Sequence, residues 1–128
     1  MNSTLSVFCN QLHNFNKTLS DRFPENKDLS LCLTAIETLK SSNSKKLIEI
    51  YVLYIYKYKS DVMNKNEKFL LETNFLDNYR EMSDIDYQIM NNLKLNWKSL
   101  DDNEKESIWK YLQVLMKLVD KYLSETLK

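Results

Sequence analysis

The sequence predicts an all-α fold, a compact single domain over residues 1–128, built as a bundle of about five to six helices. Three observations carry this. There is no glycine and only one proline, so the residues on which tight hairpins and phosphate-binding loops depend are missing. Apolar residues recur at spacings of three and four over much of the chain, the period of a helix with one buried face. A length of 128 residues suits one core and leaves little for a second.

The first helix begins near Ser3, with Leu5, Phe8, Leu12, Phe15 and Leu19 in one stripe. It stops at Phe23-Pro24, because proline disfavours the helical conformation of the preceding residue and has no N–H to continue the ladder. A second helix is predicted from about Asn26 to Lys40, with Leu29, Cys32, Leu33, Ile36 and Leu39 inward. The polar break Ser41-Ser42-Asn43-Ser44 follows, and its last serine is placed to cap the next helix.

From Lys45 to Lys59 nearly every position of the run Ile48 to Tyr56 is apolar or aromatic. Its β-branched and aromatic content favours a strand, but no polar alternation and no turn residue supports a hairpin, so one helix covered on most sides is predicted. Leu47, Ile48, Tyr51, Tyr54, Ile55 and Tyr58 form a core-facing stripe, while Ile50, Leu53 and Tyr56 point to another side. Those three are the candidate interaction residues. Ser60 and Asp61 then offer a cap for a shorter helix bearing Val62, Met63, Phe69, Leu70 and Leu71, fading near Thr73-Asn74.

Residues 74–83 are the least regular stretch. A helix beginning at Ser83 or Asp84 carries Ile85, Ile89, Met90 and Leu93 inward, and Leu95-Asn96-Trp97 leads into a turn. The last helix has the clearest start, a capping box of Asp101 and Glu104. Ile108, Tyr111, Leu112, Leu115, Val119, Tyr122 and Leu123 continue its apolar face.

Composition excludes several function classes. Eighteen basic and eighteen acidic side chains cancel, so no whole-molecule field draws the chain to nucleic acid or an anionic membrane. His13, Asn14, Asn16 and Lys17 interrupt the first apolar positions, unlike a signal peptide. A soluble intracellular protein is expected, with Cys9 and Cys32 as reduced thiols and the sequons at Asn2 and Asn16 unused. The heavy use of Asn, Lys, Ile and Tyr fits an AT-rich genome.

No chemistry-bearing constellation stands out. His13 is the single histidine and lies one turn from Cys9, but a thiolate–imidazole pair without a third orienting group reads as a half-buried cysteine beside a surface histidine. The acidic neighbours Asp84 and Asp86, and Asp101 and Asp102, sit at helix starts, where the macrodipole favours negative charge. No catalytic residue, metal ligand or cofactor is predicted. Tyr51, Tyr54, Tyr56 and Tyr58 beside Lys57 and Lys59 could stack nucleobases, yet Glu49 breaks the basic character and core or interface packing is the preferred reading.

The segment Leu95-Asn96-Trp97-Lys98-Ser99-Leu100, followed after an acidic break by Ser107-Ile108-Trp109-Lys110-Tyr111-Leu112-Gln113-Val114-Leu115, resembles a C-terminal signature of small helical proteins from nucleocytoplasmic large DNA viruses of the algal and amoebal type. The likeness is looser upstream, through Phe23-Pro24, the Leu47 to Lys59 segment and Asn74-Phe75-Leu76. The chain lacks the glycine or proline expected of relatives near Asn74 to Asp77. The resemblance implies a viral origin and no assigned activity. In physical terms Trp97, Ile108, Trp109, Tyr111, Leu112 and Leu115 anchor the last helix: Trp109, Leu112 and Leu115 share a side, and Trp97 can pack back across the first turn. Trp109 is expected to be buried against the first helix or the Lys45 to Lys59 helix.

The expected function is therefore that of a non-enzymatic viral protein acting by contact, as a minor virion component or an adaptor. Its partner would be a protein, a homodimer included, with no membrane. The expected location is host cytoplasm, viral factory or virion. The alternative is a nucleic-acid-associated factor in viral transcription or packaging.

Overall fold

A computed structural model describes residues 3–75 and 84–126. Among them are seven α-helices: α1 Thr4–Arg22, α2 Lys27–Ser42, α3 Ser44–Tyr54, α4 Lys59–Met63, α5 Glu67–Glu72, α6 Asp84–Asn96 and α7 Asp102–Thr126. The all-α reading holds, and the helix number exceeds the expected one because the predicted helix from Ser60 to Thr73 is divided in two.

Capping explains most of the boundaries. The Ser3 hydroxyl accepts the Ser6 N–H at 3.0 Å and opens α1, which closes at Phe23 ahead of Pro24. Asn26 caps α2 by accepting the Leu29 N–H at 3.2 Å. The box at the start of α7 is reciprocal: the Glu104 N–H donates to Asp101 Oδ1 at 2.8 Å and the Asp101 N–H to Glu104 Oε1 at 3.0 Å. Ser44 does not cap α3 as expected. It is the first helical residue, after Asn43, which makes no side-chain cap bond.

The predicted single helix from Lys45 to Lys59 is corrected. It ends at Tyr54, and Tyr56–Tyr58 wind into a 3-10 turn before α4. The tighter winding turns the tyrosines inward. The Tyr56 hydroxyl donates to Asp120 of α7, and the Tyr58 ring packs on Phe69 and Phe75 at centroid distances of 4.9 and 6.0 Å. Tertiary partners thus outweigh the local preference to continue the helix. The predicted helix from Ser60 to Thr73 is likewise two. Ser60 and Asp61 lie inside α4, and the chain turns at Lys65, whose φ of 52° is left-handed. A chain without glycine meets this turn with a lysine, at about 1–2 kcal/mol. Asn66 then caps α5 through the Phe69 N–H and holds Asp61 Oδ1 at 2.9 Å.

Helix α7 is the axis of assembly. Against one side α1 runs antiparallel, fixed by Thr4 to Glu125, Thr18 to Tyr111 and Arg22 to Glu104. On another side lie α3 and α4, with the Gln113 amide reaching the Met63 carbonyl at 3.2 Å and Lys65 pairing with Glu106 at 2.5 Å. Helix α2 bridges α1, through His13 and Glu37, to α6, through Asn26 and Asn92. One apolar cluster runs through the described helices, and every stripe predicted from periodicity is buried or half-buried in it, save Cys32, buried outside it, and Leu33, half-buried outside it. Asn16 is also fully buried, so a glycan on that sequon is incompatible with this packing.

Candidate functional site

A concave surface that combines exposed apolar groups with room for a partner lies between α3 and the end of α7. It is a groove of about 440 Å³, lined by Val52, Leu53, Tyr122 and Leu123, with Lys45, Glu49 and Thr126 at its rim. The sequence builds it in two steps. Positions 45, 49, 52 and 53 of α3 fall on one side of that helix, facing Tyr122, Leu123 and Thr126 on the last turns of α7. The helix then breaks after Tyr54, so nothing from α3 continues over the groove.

Leu53 stands at the lip with 67% of its surface exposed, while Val52 beside it packs partly against the core. Lys45 Nζ and Glu49 Oε1 approach to 3.7 Å along the rim. Of the residues predicted to face a partner, Leu53 is exposed, and Ile50 is half-buried on the same helix. Tyr56 does not line this groove. It packs against the core and its hydroxyl is committed to Asp120, because the 3-10 turn rotates it away from the side it would share with Leu53 in a continuous helix. Val52, Tyr122 and Leu123 were missed as groove residues, since periodicity alone assigns Tyr122 and Leu123 to the core face.

Directly beyond the helix break, Asp120 receives the Tyr56 hydroxyl and lies 2.6 Å from Lys59 Nζ. A tyrosine, a lysine and a carboxylate in contact resemble proton-transfer machinery, but the electrostatics run the other way. The bond to Asp120 holds the Tyr56 phenol above its ordinary range, and the same carboxylate raises Lys59. Burial pushes Asp120 up, yet the bonds from Lys59 and Tyr56 outweigh it and leave the carboxyl below its usual value. Each group is fixed in its resting ionisation state. A general base or nucleophile at neutral pH requires the opposite shifts. The trio is a clamp that pins α7 to the chain beyond α3.

The other chemical pairings separate in space. Cys9 donates its thiol toward the Ser44 carbonyl at 3.6 Å, whereas His13 Nε2 sits 3.0 Å from Glu37 Oε1. Burial pushes the Cys9 thiol up, with Lys40 opposing, the reverse of activation. The Asp101 carboxylate is occupied as a cap, and the side chains of Asp84 and Asp86 lie outside the described residues. Among the described residues no group of three or more His, Cys, Asp or Glu could hold a metal ion, and no helix is long and apolar enough to cross a membrane. A smaller cleft of about 130 Å³ between α1 and α7 is lined by Thr18, Arg22, Glu104, Ser107 and Tyr111 among others, with Arg22 and Glu104 already paired across it.

The tyrosines offered as stacking platforms have their rings engaged. Tyr51 meets Phe8 edge-on at 5.3 Å, Tyr58 meets Phe69, and Tyr54 and Tyr56 pack against the core. The residues of the C-terminal signature come together as an anchor: Trp97, Ile108, Trp109, Leu112 and Leu115 are buried, and Tyr111 stacks on Phe15 of α1 at 5.3 Å. Comparison with protein-family models, with curated proteins and with solved structures finds no match to this chain.

Proposed function

We propose that this chain acts by protein contact through the groove between α3 and the end of α7, without catalysing a reaction. The observation that carries the reading is Leu53, a large apolar side chain two-thirds exposed at the lip of an apolar groove. Leaving such a surface in water forgoes about 25 cal/mol for each Å² that a partner would cover. The clamp at Asp120 supports the same reading, because its ionisable groups are held away from acid–base work. The packed tyrosine rings and the engagement of Lys59 favour it over the nucleic-acid alternative, which needs open ring faces beside free cations.

Joined to the viral resemblance of the Trp97 to Leu115 segment, the proposal is an adaptor or minor virion component in the host cytoplasm, the viral factory or the particle. A photoreactive phenylalanine at position 53, in the chain expressed in the cells that produce it, tests the contact. A discrete protein adduct at position 53, absent with the probe at the exposed Thr34 of α2, is expected. Equal labelling from both positions would remove the groove as the contact surface.

A further inference from the structure

We infer that Asp120 is a latch on the helix break: by holding Tyr56 and Lys59 together it keeps residues 55–59 in the 3-10 winding, and its release lets α3 run on as one α-helix into α4. The latch itself stands on the fold alone, and its bearing on contact rests on the groove reading above. In a 3-10 turn the side chains of residues three apart are eclipsed, whereas in an α-helix they diverge by about 60°. Tyr56 and Lys59 are three apart, and both reach the same carboxylate: the Tyr56 phenol donates to Asp120, and Lys59 Nζ lies 2.6 Å from it. Lys59 Nζ also stands over the Tyr56 ring, 5.7 Å from its centroid. One anion on α7 thus grips both ends of the turn, an arrangement that the 3-10 winding brings into line and the α winding pulls apart.

The backbone is poised for the other winding. No glycine or proline falls between Lys45 and Lys59, so the usual local stop signals are missing. Ile55 has φ −107° and ψ −32°, Tyr58 −93° and 12°, and Lys59 −52° and −47°, all in or beside the right-handed helical region. Two amide bonds mark the present winding: the Tyr58 N–H donates to the Ile55 carbonyl at 2.9 Å, and the Lys59 N–H to the Tyr56 carbonyl. The α winding moves each of them one carbonyl back, to Tyr54 and to Ile55. Short α4 takes up the altered rotation before the turn at Lys65. In the continuous helix Tyr56 falls three residues from Leu53 and four from Val52, on their side, so its ring extends the α3 wall of the groove by one turn. The latched state keeps that wall short.

Nuclear magnetic resonance of the chain alone tests the latch, with no partner present, so a failure here leaves the contact reading to its own experiment. The variants are Tyr56→Phe, which deletes one hydroxyl, and Asp120→Ala. Thr4→Val is the control, since it removes a different hydrogen bond to α7, that of Thr4 to Glu125. The parent and Thr4→Val should show Overhauser contacts from the Hα of Tyr56 to the amide of Tyr58 and from Lys57 to Lys59, two residues apart. Tyr56→Phe and Asp120→Ala should replace them with contacts from Tyr54 to Tyr58 and from Ile55 to Lys59, four apart. Folded variants that keep the first set overturn the latch and leave the winding to the packing of Tyr58 on Phe69 and Phe75. A Thr4→Val chain that also switches overturns it as well, because any loosening of α7 would then suffice. Should Asp120→Ala lose its fold, Tyr56→Phe decides, and unfolding of that variant too would show a bond the whole fold needs rather than a latch.

Discussion

The Trp97 and Trp109 rings meet edge to face, with centroids 5.4 Å apart and planes at 72°. Trp97 stands in the short turn before α7 and Trp109 two turns inside that helix, so the pair ties the entry of the longest helix to its own body. Lys105 Nζ lies over the Trp97 ring at 5.6 Å. Trp109 is buried as expected, at 5% exposure, but its ring contact is with Trp97 and not with the first helix or the Lys45 to Lys59 segment named for it from the sequence. Trp109→Ala should cost about 3–5 kcal/mol. A double-mutant cycle with Trp97→Ala should return about 0.5–1.5 kcal/mol of coupling, read from denaturant midpoints. Additive losses would show that the two rings merely share a core.

Asn16 is the reverse case, a fully buried amide whose nitrogen and oxygen both lack hydrogen-bond partners among the described residues. Burying such a group costs about 1–3 kcal/mol. Leucine keeps the branched outline without the polar atoms, so Asn16→Leu is expected to raise the melting temperature. A lower one would mean that the site needs the amide or cannot hold the extra volume.

The response to pH has two limbs. Glu104 is held below its ordinary range by the Asp101 N–H and then by Arg22, Glu106 by Lys65, and Asp120 by Lys59 and Tyr56 against the effect of burial. Lowered carboxyls stabilise the fold above their unfolded pKa of about 4, and that stability is lost as pH falls through the folded values. Tyr56 and Lys59 are raised, chiefly by Asp120. Their contribution is complete below an unfolded pKa of about 10 and is lost as pH rises through the folded values. Thermal melts should show a plateau through neutral pH with a fall on either side. Asp120→Asn should flatten the alkaline limb, and an unaltered alkaline limb in that variant would remove the clamp from the account.

Much of the fold was legible because it follows from period and punctuation. Phe8, Leu12 and Phe15, or Leu112, Leu115 and Val119, declare a helix and its inner face together, and the Pro24 and Asp101–Glu104 boundaries are local chemistry. The break after Tyr54 was not legible. Just past the end of α3, Tyr56 reaches Asp120, 64 residues away in sequence, and no local pattern encodes that contact. The turn at Lys65 was hidden for a related reason, since left-handed backbone is ordinarily signalled by the glycine this chain lacks. At the candidate site the surplus of apolar residues on α3 was visible, and it located Leu53. The groove's other wall was not, because Tyr122 and Leu123 continue a core stripe and become groove residues only where α3 and α7 approach.

Amide hydrogen exchange of the chain alone and with the protein captured at position 53 tests the central claim most directly, since it reports where the partner sits. Slower exchange with the partner present is expected in peptides covering Lys45 to Leu53 and Tyr122 to Thr126, with α2 and the Arg22 to Glu104 region of the α1–α7 cleft unchanged. Protection centred on that cleft or on α2, with the α3 and α7 peptides unaffected, would contradict the assignment of the groove as the contact surface.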